Sequence, residues 1–155
     1  MATPLPIKDD LLTGALAATA VVGELMAAGA AEAGSPWAPL NAIAPLLLSP
    51  DAAEHQVWHP VVTPVGLAIT ISGITAWTVL HRGLHRAVKG DARVELPEAI
   101  AAGALSAAAL ACFDYCVLPP SRRPRFRRWL STPAIAAKYA VLGMVLALNA
   151  PQPDR

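Results

Sequence analysis

VVTPVGLAITISGITAWTVL, residues 61–80, is twenty residues without a single charged side chain. A helix crossing a ~30 Å hydrocarbon core needs about that many. Lipid offers no water to backbone N–H and C=O groups, so a spanning run must satisfy them internally, as a helix does. Pro60 precedes the run and Pro64 falls in its first turn, where a missing N–H costs nothing. Three further apolar runs flank it: Leu11–Ala31, interrupted by Glu24; Ala99–Leu118, carrying Asp114; and Pro133–Ala150, carrying Lys138. Pro97 and Pro119-Pro120 bracket the third, and Pro133 and Pro151 bracket the fourth. The expectation is an all-α, four-helix transmembrane bundle forming one integral membrane domain over 1–155.

Composition points the same way. Of 155 residues 55% are hydrophobic and only 15% charged, against about a quarter charged in soluble chains. Mean hydropathy is +0.46. Twelve Lys+Arg against eleven Asp+Glu give a net charge of +1, which excludes a generic electrostatic nucleic-acid binder. Two cysteines exclude a disulfide-dense scaffold. Asp9, Asp10 and Glu24 oppose reading the first run as a cleaved signal peptide, which would open on basic residues.

Ser35–Leu48 is apolar but too short to span, and Pro36, Pro39 and Pro45 interrupt it. A short interfacial or re-entrant segment between the first two helices is expected; a proline-rich loop lying over the bundle is the rival. Four spans put both termini and loop 81–98 on one side, and loops 32–60 and 119–132 on the other. Basic residues nearly tie: Lys8, Arg82, Arg86, Lys89, Arg93 and Arg155 on the first side, the arginines of 122–128 on the second. No Lys or Arg occurs from Glu32 to Pro60, whereas Lys8 precedes the first span. The first helix usually dominates orientation, which places the termini in the cytoplasm. Trp58, Trp77 and Trp129 are expected in an interfacial aromatic belt.

Small residues recur every fourth position at Ala15, Thr19, Gly23, Ala27 and Ala31, at Ala99, Gly103, Ala107 and Ala111, and at Ala104, Ala108, Cys112 and Cys116. Gly143 and Ala147 add a further pair. Such faces let helix backbones approach closely. Packing within the bundle is expected, with homodimerisation as the alternative.

Glu24, Asp114 and Lys138 are the ionisable residues inside the apolar runs. Each costs about 2.5–3.5 kcal/mol at a span centre. At 1.5 Å per residue, Asp114 and Lys138 lie about 6–8 Å from the second side and Glu24 about 10 Å. Asp114 and Lys138 sit on consecutive antiparallel spans at matching depth and are expected to pair, with Tyr115 and Tyr139 nearby. The pair reads as a structural tie; with Glu24 it also reads as a proton- or ion-responsive cluster, because a desolvated carboxyl titrates closer to neutrality.

Two histidine pairs, His55/His59 and His81/His85, have one-turn spacing. They fall on opposite sides and cannot share a metal, which needs three or four ligands, so solvated interfacial histidines are expected. Cys112 and Cys116 form neither a CxxC nor a haem motif and read as packing residues. No P-loop, GxGxxG, HExxH or GxSxG motif occurs. No catalytic residue, metal or cofactor is expected. Arg122, Arg123, Arg125, Arg127 and Arg128, with Phe126 and Trp129, suit contact with anionic lipid headgroups and their phosphates.

Gly23-Glu24, Pro-Trp-Ala-Pro-Leu-Asn-Ala at 36–42, and Phe-Asp-Tyr at 113–115 followed by a Pro/Arg-rich loop and Leu130-Ser131 together resemble small bacterial inner-membrane proteins of the YagU-like kind. Ala44-Pro45 stand where such relatives often carry Ser-His. The resemblance implies four inner-membrane spans and, for some relatives, a link to acid or envelope stress. The function expected is thus a non-enzymatic inner-membrane protein, stress-related or an accessory subunit. Its partners would be membrane lipids and a homo-oligomer or larger membrane complex, not nucleic acid. A small transporter or channel using Glu24, Asp114 and Lys138 is the alternative.

Overall fold

The computed structural model describes residues 7–90 and 94–150. Arg93, Arg155 and Pro151, used above for orientation and helix ends, lie outside the described residues.

Each apolar run is helical, and the described residues contain no strand. The helices are α1 (Ile7–Glu32), a one-turn α2 (Ala38–Asn41), α3 (Val62–Lys89), α4 (Leu96–Cys112) and α5 (Thr132–Leu148). Three are long and apolar enough to cross a membrane: α1, α3, and α4 with its extension to Val117. The 17-residue α5 is apolar but shorter.

Two boundaries differ from expectation. The helix built on 61–80 continues through His81–Lys89 and ends at Gly90, whose φ of 66° suits a residue without Cβ. The connection to α4 is correspondingly short: the helix runs through Gly83, which costs only about 1 kcal/mol relative to alanine, and meets no proline before it stops at Gly90. At its far end α4 widens into a π turn at Phe113–Val117, closed by the Leu118 N–H donating to the Phe113 carbonyl at 3.1 Å. Pro119 and Pro120 then stop it.

α1 packs on α3 and on α5, and α5 packs on α4. The fourth side of this ring stays open: α3 and α4 do not pack along their length. At the closest α4–α5 approach, a Cβ on Gly103 would stand 2.3 Å from the Gly143 carbonyl oxygen. Ala99, Gly103, Ala107, Gly143 and Ala147 are all buried there, as expected, while Ala111 of the same stripe is half-buried.

The other two small-residue stripes face outward. Ala15, Thr19, Gly23, Ala27 and Ala31 are exposed, and α1 instead buries Gly14, Ala17, Ala18, Val21, Leu25 and Gly29. Ala104, Ala108, Cys112 and Cys116 are also exposed, so the cysteines are not interior packing residues. The physical reason is that a helix apolar all round carries no amphipathic mark of its inner face.

Ser35–Leu48 enters the protein. Ala38–Pro45 are buried against α1 and α3, and Leu40 joins the main core with Val21, Leu25 and Ile69. Irregular backbone needs partners, and Asn41 supplies them. Its Nδ2 donates to the His55 and Val57 carbonyls at 2.7 and 2.9 Å, and its Oδ1 accepts from Thr63 Oγ1 at 2.7 Å. The Thr63 hydroxyl accepts in turn from the His59 N–H. The segment therefore packs into the helices rather than lying over them as a loop.

Candidate functional site

The π turn places Asp114 on the inner side of α4, and Pro133 in the first turn of α5 sets Lys138 opposite it. Lys138 Nζ donates to Asp114 Oδ2 at 3.2 Å, and Tyr139 Oη donates to the same oxygen at 2.7 Å. All three side chains are buried; Lys138 is 2% exposed. The ammonium also sits 4.5 Å from the Phe126 ring centre and 4.4 Å from that of Tyr139, close enough for cation–π attraction. The expected pair is present, and Tyr139 belongs to it directly.

Glu24 and Tyr115 lie at its edge. Both are half-buried, and among the described residues nothing hydrogen-bonds Glu24 Oε2 or Tyr115 Oη, although both atoms are shielded from solvent. A cavity of about 180 Å³ borders the pair, lined by Ile69, Thr70, Trp77 and Phe113 besides Asp114 and Lys138.

Phe126 is a correction. It is fully buried beneath Lys138 rather than set out towards lipid headgroups. Pro124 is buried beside it, and the Arg125 N–H donates to the Ala42 carbonyl at 2.9 Å, which pins the Arg-rich loop to the inserted segment. Trp129 is half-buried, with Nε1 donating to the Ala53 carbonyl at 2.9 Å. The arginines divide. Arg122 reaches the Pro45, Leu46 and Leu48 carbonyls at 3.3 Å each, Arg123 reaches the Leu118 carbonyl at 2.9 Å, and Arg128 pairs with Glu54. The side chains of Arg125 and Arg127 are exposed.

Trp77 is another correction. It lies well inside α3, not at its end, and its Nε1 donates across the open side to Ser106 Oγ on α4 at 3.0 Å. His55 and His59 are not helical. Their rings lie 4.3 Å apart, and His59 Nδ1 accepts from the Val61 and Val62 N–H groups at the start of α3. His81 and His85 are half-buried. Among the described residues no group of three or more His, Cys, Asp or Glu is placed to hold a metal ion.

Sequence reasoning missed a second charged centre. Asp10 is buried at the start of α1; its Oδ1 accepts from Arg82 Nε at 2.6 Å and from Arg86 Nη2. Arg82 Nη1 also donates to the Asn149 carbonyl at 2.8 Å, so α1, α3 and the end of α5 meet there. The legible signal was the one-turn spacing of Arg82 and Arg86, but their acceptor is 72 and 76 residues away. Asp10→Asn is expected to lower stability by about 2–3 kcal/mol, since charge-assisted hydrogen bonds are worth about 1.5–3 kcal/mol. A thermal melt of the detergent-solubilised protein measures it; an unchanged midpoint would mean that the centre bears no load.

Models of known protein families, curated proteins and solved structures give no match to this sequence.

Proposed function

We propose that this chain is a non-enzymatic, multi-pass membrane protein of the bacterial inner-membrane type, with α1, α3, α4 and α5 as four spans. The termini would be cytoplasmic and the inserted segment re-entrant from the opposite side. One observation carries the reading: the outward faces of the helices are apolar, while the charged groups within the apolar runs turn inward or towards one another. Leu16, Ile71, Ile100, Leu105 and Met144 are exposed large hydrophobics, whereas Asp114 and Lys138 are buried together. That is the arrangement a hydrocarbon solvent demands. Irregular backbone at 35–48 is tolerable at membrane depth because protein covers it.

The buried charges engage each other, and the cavity that borders them is otherwise lined almost wholly by apolar side chains, which supports a binding or accessory role over catalysis. Resemblance to the YagU-like proteins extends the proposal to an accessory subunit connected with acid or envelope stress. A native pull-down after mild extraction tests it: a co-purifying membrane partner or a homo-oligomer is expected, and a lone monomer would count against it. The unsatisfied Glu24 carboxylate oxygen favours a second reading, a small transporter or channel. It requires flux in proteoliposomes that Glu24→Gln abolishes; no proton or solute movement at any pH would dismiss it.

A further inference from the structure

We propose that the open seam between α3 and α4 is a binding site for one anionic phospholipid, with its headgroup phosphate beside His81 and His85 and an acyl chain in the groove below. The inference rests on the membrane reading above.

Three helix pairs in the ring are packed and one is not. Among the described residues, polar links cross the open side at its two ends: the Trp77–Ser106 hydrogen bond, beside which the Trp77 ring also meets Phe113 at 6.4 Å, and a Lys89–Glu98 ion pair of 2.5 Å. Between these links lies a groove of about 480 Å³, lined by Leu80, Leu84, Leu105 and Ala109 with His81 and His85 on one wall. That size is within the roughly 300–1,000 Å³ usual for ligand sites. Behind the histidines, a smaller cavity of about 30 Å³ is shared by His81, Arg82, His85 and Arg86.

The groove is graded along its length. Its inner end, at Trp77 and Ala109, is apolar. Polar and basic residues begin at His81, where the charge-free run 61–80 stops, and on the four-span reading this is headgroup depth. Counter-charges are present but already engaged: Asp10 holds Arg82 and Arg86, and Glu98 holds Lys89. The two guanidiniums carry ten donors in all, of which three serve Asp10 and Asn149. Against one buried carboxylate, two arginines leave a net positive charge behind the histidines. Among the described residues His85 Nε2 is shielded from solvent yet has no hydrogen-bond partner. An apolar tail topped by an anionic acceptor matches this gradient. A second copy of the chain would have to present the same pattern, and the large exposed hydrophobics on these faces, Leu84, Val88 and Leu105, offer no anionic acceptor to the histidines.

The test is native mass spectrometry of the full chain extracted from membranes and titrated with phosphatidylglycerol or phosphatidylcholine. One phosphatidylglycerol should be retained, in preference to phosphatidylcholine by about fivefold, the equivalent of one basic contact at a membrane surface. Ala109→Phe, an exposed position that fills the inner groove, should remove that retention. His85→Ala should bring phosphatidylglycerol down to the phosphatidylcholine level while the helical circular dichroism stays unchanged. Equal retention of the two lipids, retention that survives Ala109→Phe, or a lipid-free dimer closing the groove would each overturn the inference while the membrane reading stands. Recovery of the chain in the aqueous fraction would overturn both.

Discussion

Lys138→Ala is expected to destabilise the protein by about 3–5 kcal/mol, the range for removing one partner of a buried ion pair. The alanine leaves Asp114 as an uncompensated buried carboxylate, with Tyr139 Oη as its remaining donor at 2.7 Å. It also empties the space over Phe126, where the ammonium sits 4.5 Å from the ring centre. Asp114→Asn should be costly in the same direction, because it strands a buried ammonium. The double variant should recover much of the loss: the amide oxygen introduced by Asp114→Asn would still accept from Tyr139, and no charge would remain buried. Equilibrium unfolding of the four proteins gives the coupling energy directly. Strictly additive losses would show that the pair does not act as a unit.

Gly66→Leu is expected to be the other severe change, because it evicts the inserted segment from between α1 and α3. A Cβ on Gly66 would stand 2.0 Å from the Leu40 carbonyl oxygen and 2.8 Å from its carbonyl carbon. Backbone cannot swing aside as a flexible side chain can. Overpacking a core costs about 1–3 kcal/mol where side chains yield, and here the Asn41 network would also be pulled from Thr63 and from the His55 and Val57 carbonyls. Limited proteolysis measures the outcome: the variant should be cleaved between residues 35 and 60 well before the wild-type protein, whereas Gly73→Leu should not, since a Cβ on Gly73 meets open space. Equal protection in the two variants would contradict the insertion.

The two sites differ in how far they could be read from the chain. Asp114 and Lys138 were legible because depth along a helix follows from residue count, and two opposite charges at one depth on neighbouring apolar helices have little choice but to meet. The helical state of the four apolar runs was legible for the same reason, although only three of the helices are long enough to span. Helix orientation about its own axis was not. Ala15, Thr19, Gly23, Ala27 and Ala31 look like a packing face, yet α1 turns Gly14, Val21 and Leu25 inward instead. When surroundings and core are equally apolar, small residues permit close packing without selecting which face achieves it. Asp10 escaped notice because it stands before the first apolar run and its partners come from a helix that outlasts its own run by nine residues. The inserted segment was visible as an anomaly of length and proline content, but its anchoring through Asn41 depends on carbonyls 14 and 16 residues away. Phe126 was misplaced by its neighbours: five arginines within seven residues suggest an exposed loop, while the ring itself is drawn under Lys138.

The proposal of four crossings, with Asp114 and Lys138 in the half of the membrane away from the termini, makes a definite demand on topology. A dual reporter, with one enzyme active only in the cytoplasm and one only outside it, fused in separate proteins after Gly90, after Ser121 and at the C-terminus, measures this directly. The cytoplasmic enzyme should be active at Gly90 and at the C-terminus, and the other at Ser121. External activity at the C-terminus with cytoplasmic activity at Ser121 would contradict the four-span, termini-in arrangement.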